Sequence, residues 1–338
     1  MIDVLAMPLQ TGGLDALLGP LYWFLELWSG VLTWLAKIAD IRMIQEQNAF
    51  MHRAFLVGIC IGVMAPLIGT FLVHRQLALI GDALAHTAFA GVAIGLFLNS
   101  VINLGVTPYL TAVVVAMIAA LLIEVISEAT DAYNDVSMAI VLSTGFALGT
   151  TLISINAGGL TVSVERYLFG NLSTVTPQAA AILLVLFAIV IGVVGLTRNQ
   201  LLYVTFDETA AAVSGLPVNW YNRIMVMLTA LVVVGAMQIM GVILVAAMLV
   251  VPVAGASQVS RSFNEAVLVS VILAEISVIV GIAFAYHLGA TAGGIVVLVA
   301  VTLYTGAVVV GKLQTVYGDN SMPEMGSINA NETESAAD

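Results

Sequence analysis

Long apolar stretches separated by short polar ones set the first reading of this chain. They fall at 54–73, 77–98, 109–126, 137–155, 178–196, 224–240, 241–256, 266–286 and 291–310. Each is near the roughly 20 residues that an α-helix needs to cross a hydrocarbon core of about 30 Å. Residues 224–253 form one apolar run, long enough that a break is predicted at Met240–Gly241; an unbroken, strongly tilted helix is the alternative. The stretch 14–36 differs: Trp23, Trp28 and Trp34 accompany Glu26, Ser29, Thr33 and Lys37 at helical spacing. That polar stripe leaves a helix lying in the interface and a helix crossing the bilayer both open. It does not read as a signal peptide, having no basic start and no clear small-residue cleavage site. The predicted architecture is an all-α polytopic bundle of about 8–10 spans. It has a transmembrane domain at 51–311, an N-terminal extension at 1–50 and an acidic, disordered tail at 312–338.

Composition agrees with the pattern. Of 338 residues, 61% are hydrophobic and 9% charged, with a mean hydropathy of +1.10. Soluble domains carry about 25% charged residues, so the bilayer is this chain's solvent. The lone cysteine, Cys60, excludes an intrachain disulfide and a thiolate metal cluster. The net charge of −11 argues against nucleic-acid binding. Lysine occurs only at Lys37 and Lys312, and a lysine-poor, acidic chain fits a high-salt, halophilic cytoplasm, where screening relieves self-repulsion.

The few basic residues give an orientation. With Arg53 at the outer end of the first strong span, Arg75, Arg198, Arg223, Arg261 and Lys312 fall on the cytoplasmic side, together with the loop 127–135 and the tail. Arg166 is the exception, in an outer segment, 156–177, that is predicted to hold a short re-entrant helix.

Ionisable residues inside spans carry the candidate chemistry, because each costs about 2.5–3.5 kcal/mol to insert. Asp82 and His86 lie four positions apart, which stacks carboxylate and imidazole on one helix face. Oxygen and nitrogen ligands of this kind suit a divalent first-row metal; a buried carboxylate–imidazole packing pair is the alternative. Glu275 sits in another span, as a further ion contact or an intraprotein hydrogen-bonding group. His287, at an outer mouth, is a further ion contact or a plain surface histidine. His52 and His74 read as interfacial anchors, Glu124 and Glu128 as water-reaching residues near an exit, and Asp135 as a helix N-cap. The pairs Gly58/Gly62, Gly91/Gly95 and Gly145/Gly149 read as close helix packing, Pro66 and Pro252 as kinks, and the scattered methionines as core.

Other motifs are missing. The phosphate-binding loop needs lysine before Ser or Thr, but Lys37 precedes Ile38 and Lys312 precedes Leu313. Neither G-x-S-x-G nor HExxH is present, and no enzyme is expected. Between two spans, Asp207–Glu208 precedes a short run of helix formers at 209–213, which Ser214–Gly215 and Pro217 end. This is an ordinary linker or a docking element for a cytoplasmic motor.

Four collinear blocks then resemble the permease subunits of zinc/manganese-type ABC metal importers: FLVHRQLALIGDALAHTAFAGVAIG (71–95), YLFGNLSTVTPQ (167–178), FDETAAAVSGLPV (206–218) and MGVILVAAMLVVPVAGA (240–256). The resemblance implies the fold shared with cobalamin importers and a passive pathway half in the cell membrane. It implies three partners: a cytoplasmic ABC ATPase, a second permease subunit and an extracytoplasmic metal-binding protein. It puts Asp82 and His86 on the ion's path, so that two copies would make a four-ligand station of the number that suits zinc. It makes Asp207, Glu208, Ala210, Ala211, Val213, Gly215 and Leu216 the ATPase-docking loop. No permanent cofactor is implied; the transported ion would be zinc or manganese, with iron also compatible. The extension through Gln47 and the residue Glu275 have no counterpart in the family pattern. The rivals are a cobalamin- or iron-chelate-type permease and an ion-coupled secondary carrier that uses Asp82 or Glu275 as a proton site.

Overall fold

The computed structural model describes residues 14–38, 49–102, 105–130, 134–155, 167–168, 170 and 175–319. They form eleven α-helices and no strand. In chain order these are α1 (Leu14–Ile38), α2 (Ala49–His74), α3 (Ile80–Ile102), α4 (Pro108–Thr130), α5 (Asn134–Ile155), α6 (Pro177–Phe206), α7 (Glu208–Val213), α8 (Val218–Met240), α9 (Val242–Val259), α10 (Phe263–Leu288) and α11 (Ala292–Asp319). The expected re-entrant helix lies mostly outside the described residues, as does the tail beyond Asp319. The first part of that tail is the end of α11, whose apolar run continues the helix to Asp319.

Eight of these helices are long and apolar enough to cross a membrane: α2 to α6, α8, α10 and α11. The apolar run at 224–253 is two helices, so the tilted single helix is set aside. Gly241 separates them at φ 77° and ψ 156°, a backbone region that a side chain would strain. Asp135 also differs from expectation. It sits in the first turn of α5, one residue inside Asn134, where a carboxylate faces the positive end of the helix dipole instead of capping it.

The helices α2 and α8 are the most enclosed of the spans, whereas α5 and α11 are the least. The helix α2 packs against α6, α8, α9 and α10, and α3 lies between α4 and α5 with α8 and α9 behind it. Lipid offers no hydrophobic drive between helices, so close backbone approach does the work. A Cβ on Gly91 would meet Ala112 Cα at 2.6 Å, and one on Gly145 would meet Thr87 Cα at 2.9 Å. All three glycine pairs are packing surfaces: Gly58 and Gly62 face α10 at Val278 and Glu275, and Gly149 faces the Phe89 ring.

The N-terminal helix α1 lies against α2 and α6. Leu25 is buried, and Trp28 Nε1 donates to the His52 carbonyl at 3.1 Å. Its polar stripe is partly satisfied within the helix, since Ser29 donates to Glu26 O and Thr33 to Ser29 O. Trp23, Leu27 and Trp34 point outward.

Contacts gather Arg75, Arg198, Arg223 and the segment before Lys312 at one end of the bundle, the end that carries α7, with Arg53 near the start of α2 at the other. Arg75 reaches Asn222, Arg198 reaches Asn264, Arg223 reaches Glu128, and Gly311 meets the Gln258 carbonyl.

Candidate functional site

Asp82 stands in the first turn of α3, where the helix dipole favours a negative charge. His86 follows one turn later, with Nε2 3.6 Å from Asp82 Oδ1. That distance is too long for a hydrogen bond, so the two side chains face one another without closing on each other. The Asp82 side chain is 40% exposed and that of His86 20%, so neither is closed off by the chain's own packing. The imidazole is held from behind by Phe146 of α5, edge to face, with ring centroids 5.3 Å apart and planes at 88°. Phe146 in turn stacks on Phe89. The other ring nitrogen, His86 Nδ1, is buried without a hydrogen-bond partner. Contact between α3 and α5 is close here because Gly145 and Gly149 carry no side chain.

The remaining sequence-predicted residues lie elsewhere. Glu275 is half-buried in the middle of α10 against Gly62 of α2, with Oε1 buried and unpartnered. His287 is exposed in the last turn of α10, edge-on to Tyr286. Among the described residues no three His, Cys, Asp or Glu side chains come together as a metal cluster. Within one chain the open pair is therefore two ligands wide. His52 is buried, and His74 sits between Phe206 and Phe263 with Nδ1 2.7 Å from Thr70 O. His52 is thus packed inside, whereas His74 is exposed at the end of α2.

The short helix forms as its sequence directs, one residue earlier than expected. Asp207 Oδ1 accepts from Ala210 N at 2.8 Å, capping α7. Gly215, at φ 86°, lets Leu216 N reach Ala211 O and Gly215 N reach Ala212 O, the paired bonds of a Schellman end. Ala211 is buried with Val204 and Val218, and Leu216 and Tyr221 pack against them. Asp207, Glu208, Val213 and Gly215 stay exposed, and Ala210 is half-buried.

Beside α7 lies a polar cleft of about 310 Å³, lined by Arg75, Glu124, Glu128, Glu208, Asn219 and Asn222 and bordered by Ile80 of α3. Arg75 Nη2 donates to Asn222 Oδ1 at 2.7 Å, and Asn222 Nδ2 donates to Glu208 Oε1 at 3.1 Å. Arg223 pairs with Glu128 at 3.0 Å. Burial draws the Arg75 guanidinium below its ordinary pKa, and Glu208 and Glu124 work in the opposite direction. None of these cross-helix partners is predictable from the sequence, because each joins residues far apart along it.

The sequence profile described as "ABC 3 transport family" matches residues 47–311. Over 258 residues the chain is 30% identical to a manganese transport system membrane protein, MntC, of Listeria monocytogenes, covering 76% of this chain and 89% of that one. It is 29% identical over 255 residues to a "probable iron transport system membrane protein" of Haemophilus influenzae, covering 75% and 88%. Among solved structures it resembles PsaBC from Streptococcus pneumoniae in complex with Fab, with a TM-score of 0.72 and 28% identity over 83% of this chain and 99% of that one.

Proposed function

The chain belongs to the ABC 3 transport family, and from that premise we propose that it is one half of a membrane pathway for a divalent transition-metal ion, manganese first. As a member of a transport family it is a permease subunit and not an enzyme. The permease unit takes residues 51–311, with 1–50 and 312–338 as additions to it. The observation that carries the metal reading is the Asp82–His86 pair: two ligand groups at i and i+4, facing one another at 3.6 Å and left open. A bare dication in a span would lose its hydration, and a carboxylate with a neutral imidazole replaces part of that shell. A second copy of the chain would bring the ligand number to four.

The α7 end is the cytoplasmic one in this reading, since the basic residues gather there. A separate ATP-hydrolysing subunit docks on α7, and an outer binding protein delivers the ion at the opposite end. Closure of the motor subunits moves α7, tilts α3 and switches the pair between outer and inner access. Manganese ranks ahead of iron and zinc because the Listeria relative is named for it, and the Haemophilus relative's name places iron second. A chelate-type permease would leave Asp82 and His86 without a purpose. The acidic, lysine-poor composition supports a high-salt setting, in which the purified protein's melting temperature rises with added KCl.

The test is cellular Mn, Fe, Zn, Co and Ni by mass spectrometry in wild type, a deletion strain, and the deletion carrying Asp82→Ala or His86→Ala at matched expression. Manganese falls in the deletion, and neither variant restores it. Full restoration by both variants makes the pair structural and overturns the metal station. No metal changing in the deletion overturns the transport reading.

A further inference from the structure

The hydrogen-bonded bridge beside α7 has no part in holding an ion, yet its geometry joins the two places that the transport reading needs to join. Glu208 stands in the first turn of α7, Asn222 on α8, and Arg75 directly after α2. The Asn222 amide accepts from Arg75 with its oxygen and donates to Glu208 with its nitrogen. Both bonds fix one orientation of that amide, and a flipped amide would oppose donor to donor and acceptor to acceptor.

The connection from Arg75 to α3 is short and closed. Leu77 N donates to Leu72 O and Gln76 N to Val73 O, with Gln76 in the left-handed region at φ 59°. Ile80 N then donates to Leu77 O, and Asp82 N to Leu79 O. Successive backbone bonds thus close the path from Arg75 to the first turn of α3, leaving little slack between the guanidinium and the Asp82 backbone. By contrast, α7 rests on its scaffold through the apolar contact of Ala211 with Val204 and Val218. Such contacts are non-directional and permit sliding. α7 follows α6 directly, with Asp207 N donating to Tyr203 O, and its side-chain hydrogen bond to α8 runs through Glu208.

We propose that Glu208, Asn222 and Arg75 form a positioning relay that transmits displacement of α7 through the 75–79 turn to α3, setting where Asp82 and His86 stand. This rests on the transport reading above. The three residues touch no ion; they act through the helix that does. A bond from an amide to a charged group is worth enough that its loss lowers coupling about tenfold.

The experiment uses the full chain, co-purified with its ATP-hydrolysing subunit and reconstituted in proteoliposomes, and reads Mn(II) taken up per phosphate released. Asn222→Asp keeps an acceptor for Arg75 but faces Glu208 with a second carboxylate. The expected result is continued ATP hydrolysis with about tenfold less manganese per ATP. Adding Glu208→Gln, whose amide can donate to the introduced carboxylate, returns the ratio to within about twofold of wild type, a non-additivity expected only of groups in contact. Arg75→Ala uncouples as Asn222→Asp does, and Arg75→Lys recovers part of the loss; this second pair decides the matter if Asn222→Asp does not assemble. Unchanged ratios in the single variants overturn the relay, and so does a loss that Glu208→Gln fails to rescue. A wild-type complex that takes up no manganese in an ATP-dependent manner overturns the transport reading, and the relay with it. Coupled wild type beside coupled variants overturns the relay alone.

Discussion

The Asp82–His86 pair and Glu275 both put ionisable groups among apolar helices, and they meet that cost in opposite ways. The pair sits at the start of α3, where the helix dipole favours the carboxylate, and its two side chains are partly exposed. Glu275 sits in the middle of α10, pressed on Gly62, with one oxygen sealed off and unpartnered. An open pair can exchange a ligand at both groups; Glu275 has one of its two oxygens closed off. In the proposed transport reading, an ionisable residue in a span signals function only together with access.

The largest expected contrast is in uptake. His86→Ala lowers metal uptake by about 10–100-fold or more, since even outer partners of metal ligands are worth that much, whereas Glu275→Gln leaves most of it. Equal losses in radiolabelled manganese uptake would erase the distinction. In stability the order reverses. A Cβ on Gly62 already falls 2.7 Å from Glu275 Oε1, so Gly62→Val overpacks the α2–α10 contact by about 1–3 kcal/mol. Thermal melting of the purified protein should register that drop while His86→Ala changes it little.

Phe146→Leu sharpens the other side. Losing the edge contact to the imidazole is worth about 0.5–1.5 kcal/mol, which raises the manganese concentration for half-maximal uptake about 2–10-fold. An unchanged concentration would mean that the ring does not hold His86. The smallest effect is expected at Glu275→Met, which replaces an unpartnered buried oxygen by an apolar group of similar length. It should raise stability by about 1 kcal/mol, and a fall in melting temperature would show that the carboxyl has a partner in the membrane.

Much of this arrangement is legible along the chain because it is written in local terms. The break at Gly241 follows from span length, and α7 from a capping aspartate before alanines and a glycine after them. Asp82 and His86 share a face because four residues make about one turn. The features that escape the sequence depend on contacts between distant segments. Nothing near His86 announces Phe146, and nothing near Arg75 announces Asn222. Glu275 reads from the sequence as an ion contact or a hydrogen-bonding group, and the packing of Gly62 against it, which limits its reach, belongs to another helix. The stripe on α1 is ambiguous because hydroxyls that bond their own helix carry little information about water.

Gly241 also fixes the sidedness of everything after it. With the break, α9, an 18-residue helix shorter than the eight spans, runs back beside α8, so that Arg261 returns to the end that holds Arg223 and Lys312 follows it there. A continuous helix would make one pass and invert every later segment, parting Arg198 from Asn264. One residue at φ 77° thus acts as a parity switch for the last quarter of the chain, and an inversion of that quarter would show itself first in which side of a vesicle a protease finds the C-terminus.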